Sequence, residues 1–178
     1  MDNQTPSSSV SREAGFVTQV IHRIQQDKGL SARLRRADNP ATEYQSWEFL
    51  ASFGIDLEQD YQRLPFVTVA AAIAKTKPER NGTLRLGQAI AACYADGQSN
   101  HQANAKLRRL LACDDVPEVC RILRPILALI ASRGSQSLDY IRLLQQLRRF
   151  FFDPQKIKTQ WAQEFYGQVV ESRFEEVV

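Results

Sequence analysis

The stretch AKLRRLLACDDVPEVCRILRPILALIAS, residues 105–132, decides the fold class. Apolar side chains recur at helical spacing on both sides of a polar turn. Leu107, Leu110 and Leu111 stand at i, i+3 and i+4, and a second run starts behind Asp115. A strand would need strict alternation, which is absent. Asp115 carries the short acceptor side chain that caps a helix, so VPEVCRILRPILALIAS is predicted as a second helix. Pro125 falls inside that pattern and predicts a kink, or two helices meeting. The stretch also raises a chemical question. Lys106, Arg108 and Arg109 crowd two turns of a core-packing helix, and no acid appears before Asp114.

Working outward, the same periodicity covers nearly all the chain after residue 11. Ser11 caps REAGFVTQVIHRIQQ, whose Phe16, Val17, Val20, Ile21 and Ile24 share a face. Ser31 is read as the cap of ARLRRA. Asn39-Pro40 launches PATEYQSWEFLASF, with Tyr44, Trp47, Phe49 and Leu50 on its buried side, and Gly54 ends it. Pro65 is read as the start of FVTVAAAIAKTK, and Thr83 as the cap of LRLGQAIAACYA. Gly87, inside the latter, predicts close approach of another backbone. Asn100 caps the helix of residues 101–112, Ser137 caps LDYIRLLQQLRRFF, and Asp153-Pro154 starts QKIKTQWAQEFYGQVV.

The expected fold class is therefore all-α, a bundle of about eight or nine helices. Loops near 78–83 and 95–100 suggest an N-terminal helical lobe, 12–96, and a C-terminal lobe with the basic face, 97–170. A disordered lead-in, 1–11, and an acidic tail, 171–178, flank them.

Bulk composition excludes several classes. The chain has 178 residues, 43% of them hydrophobic, which suffices for a real core. The longest apolar runs, FVTVAAAIA (66–74) and PILALIA (125–131), fall short of the ~20 residues a membrane span needs. No membrane partner and a cytoplasmic location are expected. Cys93, Cys113 and Cys120 are odd in number and form no CxxC, and the only histidines are His22 and His101. Neither a disulfide framework nor a metal site fits, and buried free thiols are expected. No phosphate-binding glycine motif points to a nucleotide cofactor, and no nucleophile–base motif points to catalysis. Asp114 and Asp115 read as a helix cap. Phe150, Phe151 and Phe152 could stack bases, but core packing is the plainer expectation, as for Trp47 and Trp161.

The net charge of +3 hides an asymmetry. Residues 119–158 carry Arg121, Arg124, Arg133, Arg142, Arg148, Arg149, Lys156 and Lys158 against Asp139 and Asp153, a net of +6. Residues 159–178 carry Arg173 against Glu164, Glu171, Glu175 and Glu176, a net of −3. Lys106 with Arg109, and Arg121 with Arg124, stand at i, i+3, while Arg142 and Arg149 stand at i, i+7. Each pair lines one helix edge beside the apolar stripe. SARLRRA adds Arg33, Arg35 and Arg36. A merely solubilising surface mixes both signs, and here acids are nearly missing over forty residues. Arginine forks suit phosphate, so a sequence-independent nucleic-acid backbone groove is expected.

Four stretches carry a resemblance: ARLRRADNPATE (32–43), LRLGQAIA (84–91), NAKLRRLLACDDVPEVCRILRPIL (104–127) and IKTQWAQEFYG (157–167). In that order, over roughly residues 16–168, they resemble the CasB family, the small subunit of the type I-E CRISPR Cascade complex. The resemblance implies a non-catalytic, all-helical subunit without a cofactor. Its partners would be the other Cascade subunits, a second copy of itself, and the single-stranded DNA of a crRNA–DNA R-loop. Arg36, Arg124 and Lys106 match basic positions of the family pattern. Arg109 and Arg121 rest on the charge argument, and Arg142, Arg148 and Arg149 on local chemistry in a region that aligns poorly. The lead-in and the acidic tail have no family counterpart. The alternative from the residues alone is a helical protein-interaction adaptor with a basic surface.

Overall fold

The run LPFVTVAAAI, residues 64–73, is apolar on every side, and a helix that is apolar all round must sit inside. A computed structural model describes residues 10–134 and 136–167. In it this run forms the middle of the central helix. Most of the expected lead-in and all of the acidic tail lie outside the described residues.

Nine α-helices are found among the described residues: α1 (Arg12–Gln26), α2 (Lys28–Arg36), α3 (Trp47–Ser52), α4 (Asp60–Thr76), α5 (Leu86–Ala92), α6 (His101–Leu111), α7 (Val116–Arg133), α8 (Tyr140–Phe150) and α9 (Pro154–Tyr166). Two 3-10 turns, Pro40–Ser46 and Gly97–Ser99, complete the set, and the fold is all-α. None of these helices is long and apolar enough to cross a membrane. The one extended pairing described is an isolated bridge between Leu84 and Leu138.

Helix α4 is the axle. It is buried from Leu64 to Ala74 and packs against α1, α2, α7 and α8. Its start lies near that of α7 and the end of α8, where Tyr61 stacks on Phe151 at 4.0 Å between ring centroids. At its other end Thr76 meets the Tyr140 hydroxyl at 2.7 Å, so α8 runs antiparallel to it. Phe16 of α1 seals the base against Phe49, Phe53 and Phe66. A single hydrophobic core takes residues from both sides of the expected boundary near residues 96 and 97.

Several starts differ from the sequence expectation, each for a local reason. Asp27, not Ser31, caps α2: its side chain accepts from the Leu30 amide at 2.9 Å. Ser31 is buried inside the helix. Helix α4 begins at Asp60 and runs through Pro65, and α7 runs unbroken through Pro125. Each proline removes one backbone donor, and packing around the helix outweighs that loss. The segment after Asn39 is a 3-10 turn before α3, and it leaves Tyr44 58% and Trp47 41% exposed. Thr83 and Ser137 do not cap; Arg85 precedes α5 and Asp139 caps α8. Ser11, Asn100, Asp115 and Asp153 cap as expected.

Gly87 lets α5 lie flush on α9. An added Cβ there would fall 2.5 Å from both the Phe165 nitrogen and the Trp161 carbonyl oxygen. The Gly87 amide instead donates to Glu164 at 3.1 Å. Buried Glu164 also accepts from Gln146 at 3.0 Å and from Arg142 at 2.8 Å. Gln146 in turn accepts from the Trp161 indole at 2.9 Å. One carboxylate thus joins α5, α8 and α9.

Candidate nucleic-acid interface

The eight cations expected to contact nucleic acid divide into three kinds once their partners are known. On α8 the guanidinium of Arg142 is held by Glu164, and that of Arg148 by Glu13 of α1 while it covers the Phe66 ring. Both arginines answer to carboxylates inside the bundle. Arg149, next in sequence, is exposed and has no carboxylate partner among the described residues.

On α7 the stripe Val119, Cys120, Ile122, Leu123, Ile126 and Leu127 turns into the core. Arg121 and Arg124 therefore take different depths. Arg121 is 65% exposed, with Glu118 no nearer than 3.9 Å. Arg124 is only 14% exposed and its Nε lies 3.8 Å from Asp38, beyond hydrogen-bonding reach. That Nε is buried without a partner. Asp38 also takes Lys75 of α4, so one carboxylate just past the end of α2 gathers α4 and α7. Arg36 ends α2 two residues earlier and is exposed, as are Arg33 and Arg35.

Helix α6 buries Ala103, Leu107 and Leu110, which turns Arg108 and Arg109 outward and leaves Lys106 half-buried. Arg133, at the end of α7, donates to the Cys93 carbonyl at 3.3 Å; burial raises the Cys93 thiol, and the charges of Arg133 and Lys106 oppose that rise. The crowding of cations on α6 has its explanation in this geometry: the leucines serve the core and the arginines serve the surface. Asp38 is the organising residue of this face that the sequence did not single out. In the sequence it is a lone acid two residues after the basic run that ends at Arg36, and nothing local indicates that it lies between two distant helices.

The cysteines are free and buried. Burial pushes the Cys120 thiol up to about 12, and it raises Cys93, Cys113 and Tyr140 as well. A thiol so raised stays protonated and is a poor nucleophile at neutral pH. Among the described residues no three His, Cys, Asp or Glu side chains gather as metal ligands. Of the three phenylalanines, Phe150 is core, whereas Phe151 and Phe152 are 52% and 77% exposed, against the expectation of packing. They follow α8, where the chain turns before the core side of α9 begins.

No curated protein sequence matches the chain. Solved structures do. CasB of M. ruber is 25% identical, with a TM-score of 0.74, over 93% of this chain and 98% of that one. A chain of a CRISPR RNA-guided surveillance complex is 21% identical, with a TM-score of 0.68 over 94% and 96%. A CRISPR-associated protein of the Cse2 family from Thermus thermophilus is 24% identical, with a TM-score of 0.66 over 87% and 97%. These last two likenesses carry the fold. The family model for CRISPR-associated protein Cse2 matches residues 31–166, the span that holds Arg36, Asp38 and every cation of α6, α7 and α8. The chain belongs to the Cse2 family of CRISPR-associated proteins.

Proposed function

We propose that the chain is the non-catalytic small subunit of a type I-E CRISPR surveillance complex in the cytoplasm. It assembles with the other Cascade subunits and with a second copy of itself. It grips the phosphate backbone of the target and displaced DNA strands and so stabilises the R-loop beside the crRNA. Guide pairing reads the sequence, and this chain reads charge.

The observation that carries the reading is the separation of the cations. Arg36, Arg109 and Arg149 project from a well-packed bundle with no carboxylate partner among the described residues, and Arg121 projects with only a loose, exposed contact to Glu118 at 3.9 Å. Outward guanidiniums of this kind are free to make bidentate phosphate contacts without first breaking an internal pair. Lys106, half-buried, and Arg124, mostly buried beside Asp38, are seconds to them. Arg142 and Arg148 contribute by holding the face in place.

The test is R-loop formation by a reconstituted complex containing Arg109→Ala with Arg121→Ala. R-loop occupancy is expected to fall about tenfold or more while the complex still assembles. Undiminished R-loops with that subunit in place would contradict the reading.

A further inference from the structure

One surface has the opposite character to the rest. The starts of α4, α7 and α9 converge around a cavity of about 530 Å³. Its floor is apolar and aromatic, made by Tyr61, Val116, Pro117, Phe150, Phe151 and Pro154. Phe152 extends the apolar surface outward, edge-on to Phe151 at 5.1 Å. The rim carries Glu58, Asp60, Asp114 and Asp115, and no Lys or Arg lines the cavity.

Part of this acidity is structural. Asp115 caps α7, and Asp60 opens α4 and pairs with Arg63 at 2.7 Å. Carboxylates complement the positive ends of helices, so those two are accounted for. Glu58 and Asp114 are surplus. Both lie outside the helices and are exposed, Asp114 to 94%, with Lys158 no nearer than 4.0 Å. The exposed phenylalanines are surplus too, since a folded monomer gains nothing by presenting Phe152 at 77% exposure. The acidic rim argues against base stacking on Phe151, because a nucleic acid would bring phosphates to carboxylates.

We propose that this groove docks a cationic peptide segment of a neighbouring protein, one that alternates arginine or lysine with aliphatic or aromatic residues. The apolar side chain enters the cavity. A flanking guanidinium lies over the stacked Tyr61–Phe151 pair, an aromatic surface that favours a cation, and pairs with Glu58 or Asp114. The volume suits one or two large side chains. The inference stands on the groove alone and does not depend on the nucleic-acid reading.

The test uses the full chain and a fluorescein-labelled peptide of alternating arginine and leucine with one central tryptophan, read by anisotropy at low salt. Two control peptides replace arginine by glutamate, or the apolar residues by serine. The expected result is saturable binding of the first peptide only, weakened about tenfold by Phe152→Ala and at least about fivefold by Glu58→Gln with Asp114→Asn. Both variants are predicted to melt with the parent protein, since the altered side chains are exposed. No binding at millimolar peptide, or equal binding by both variants, overturns the proposal. So does self-association that Phe152→Ala abolishes, which would assign the groove to a second copy. So does loss of single-stranded DNA binding in Phe152→Ala with peptide binding intact, which would assign it to bases.

Discussion

Arg121 and Arg124 sit one turn apart on α7 and look interchangeable in sequence, yet they answer to different forces. Truncating Arg124 leaves Asp38 with Lys75 alone and opens a gap among three helices. Arg124→Ala is expected to cost about 1 kcal/mol of stability, and Arg121→Ala to stay within about 0.5 kcal/mol of the parent in urea unfolding. Arg142→Ala goes further, because it strips a partner from buried Glu164; a loss of about 2 kcal/mol or more is expected, against almost none for Arg149→Ala. Cys120 supplies a pH dependence. Its thiol keeps its proton to about 12 in the folded chain, against an ordinary value of 9.0. The unfolded chain therefore releases that proton first. The stability contributed is intact below the ordinary thiol value of 9.0 and is lost as the pH rises toward 12, by about 1.4 kcal/mol per pH unit within that window. Urea midpoints at about pH 8 and about pH 10.5 read the loss, and Cys120→Ala, though less stable throughout, is expected to lack that share of it.

At the scale of elements, helix–helix fit is set by small residues and caps. Gly87 is the point where α5 touches the α9 backbone, and no side chain fits there. Gly87→Ala is expected to destabilise by about 1–3 kcal/mol through overpacking, seen as a lower melting temperature with unchanged helix content. Gly87 was legible in the sequence because a glycine inside a helical pattern needs a packing reason. The caps at Asn100, Asp115 and Asp153 were legible too, since cap and apolar stripe are adjacent in the chain. The start of α2 was not. Both Asp27 and Ser31 are competent caps, and the choice fell to Asp27 because burial of Leu30 and Leu34 extends the helix backward. The prolines misled for the same reason: Pro65 and Pro125 are breakers locally, and the packing of α4 on α7 overrides them.

At the scale of the molecule, the all-α class followed from periodicity alone, because nearly every element carries its own apolar stripe. The arrangement did not. Arg148 reaches Glu13 across 135 positions, and Arg142 reaches Glu164 across 22. Pairs of that kind are invisible to charge spacing, which is why the sequence grouped Arg142 and Arg148 with truly outward arginines. The acidic–aromatic groove was hidden likewise, since residues 58–61, 114–117 and 150–154 meet only after α4, α7 and α8 pack. The central claim is that outward cations, and not internally paired ones, hold the nucleic-acid backbone. Single-stranded DNA binding by the intact chain, followed from about 50 to about 300 mM salt, tests it most directly. Joint alanine replacement of Arg36, Arg109, Arg121 and Arg149 is predicted to flatten the slope of log K against log salt by about 0.7 for each phosphate no longer neutralised. Glu13→Gln, which frees Arg148, should leave the slope the same or steeper. An unchanged slope in the fourfold variant would contradict the account.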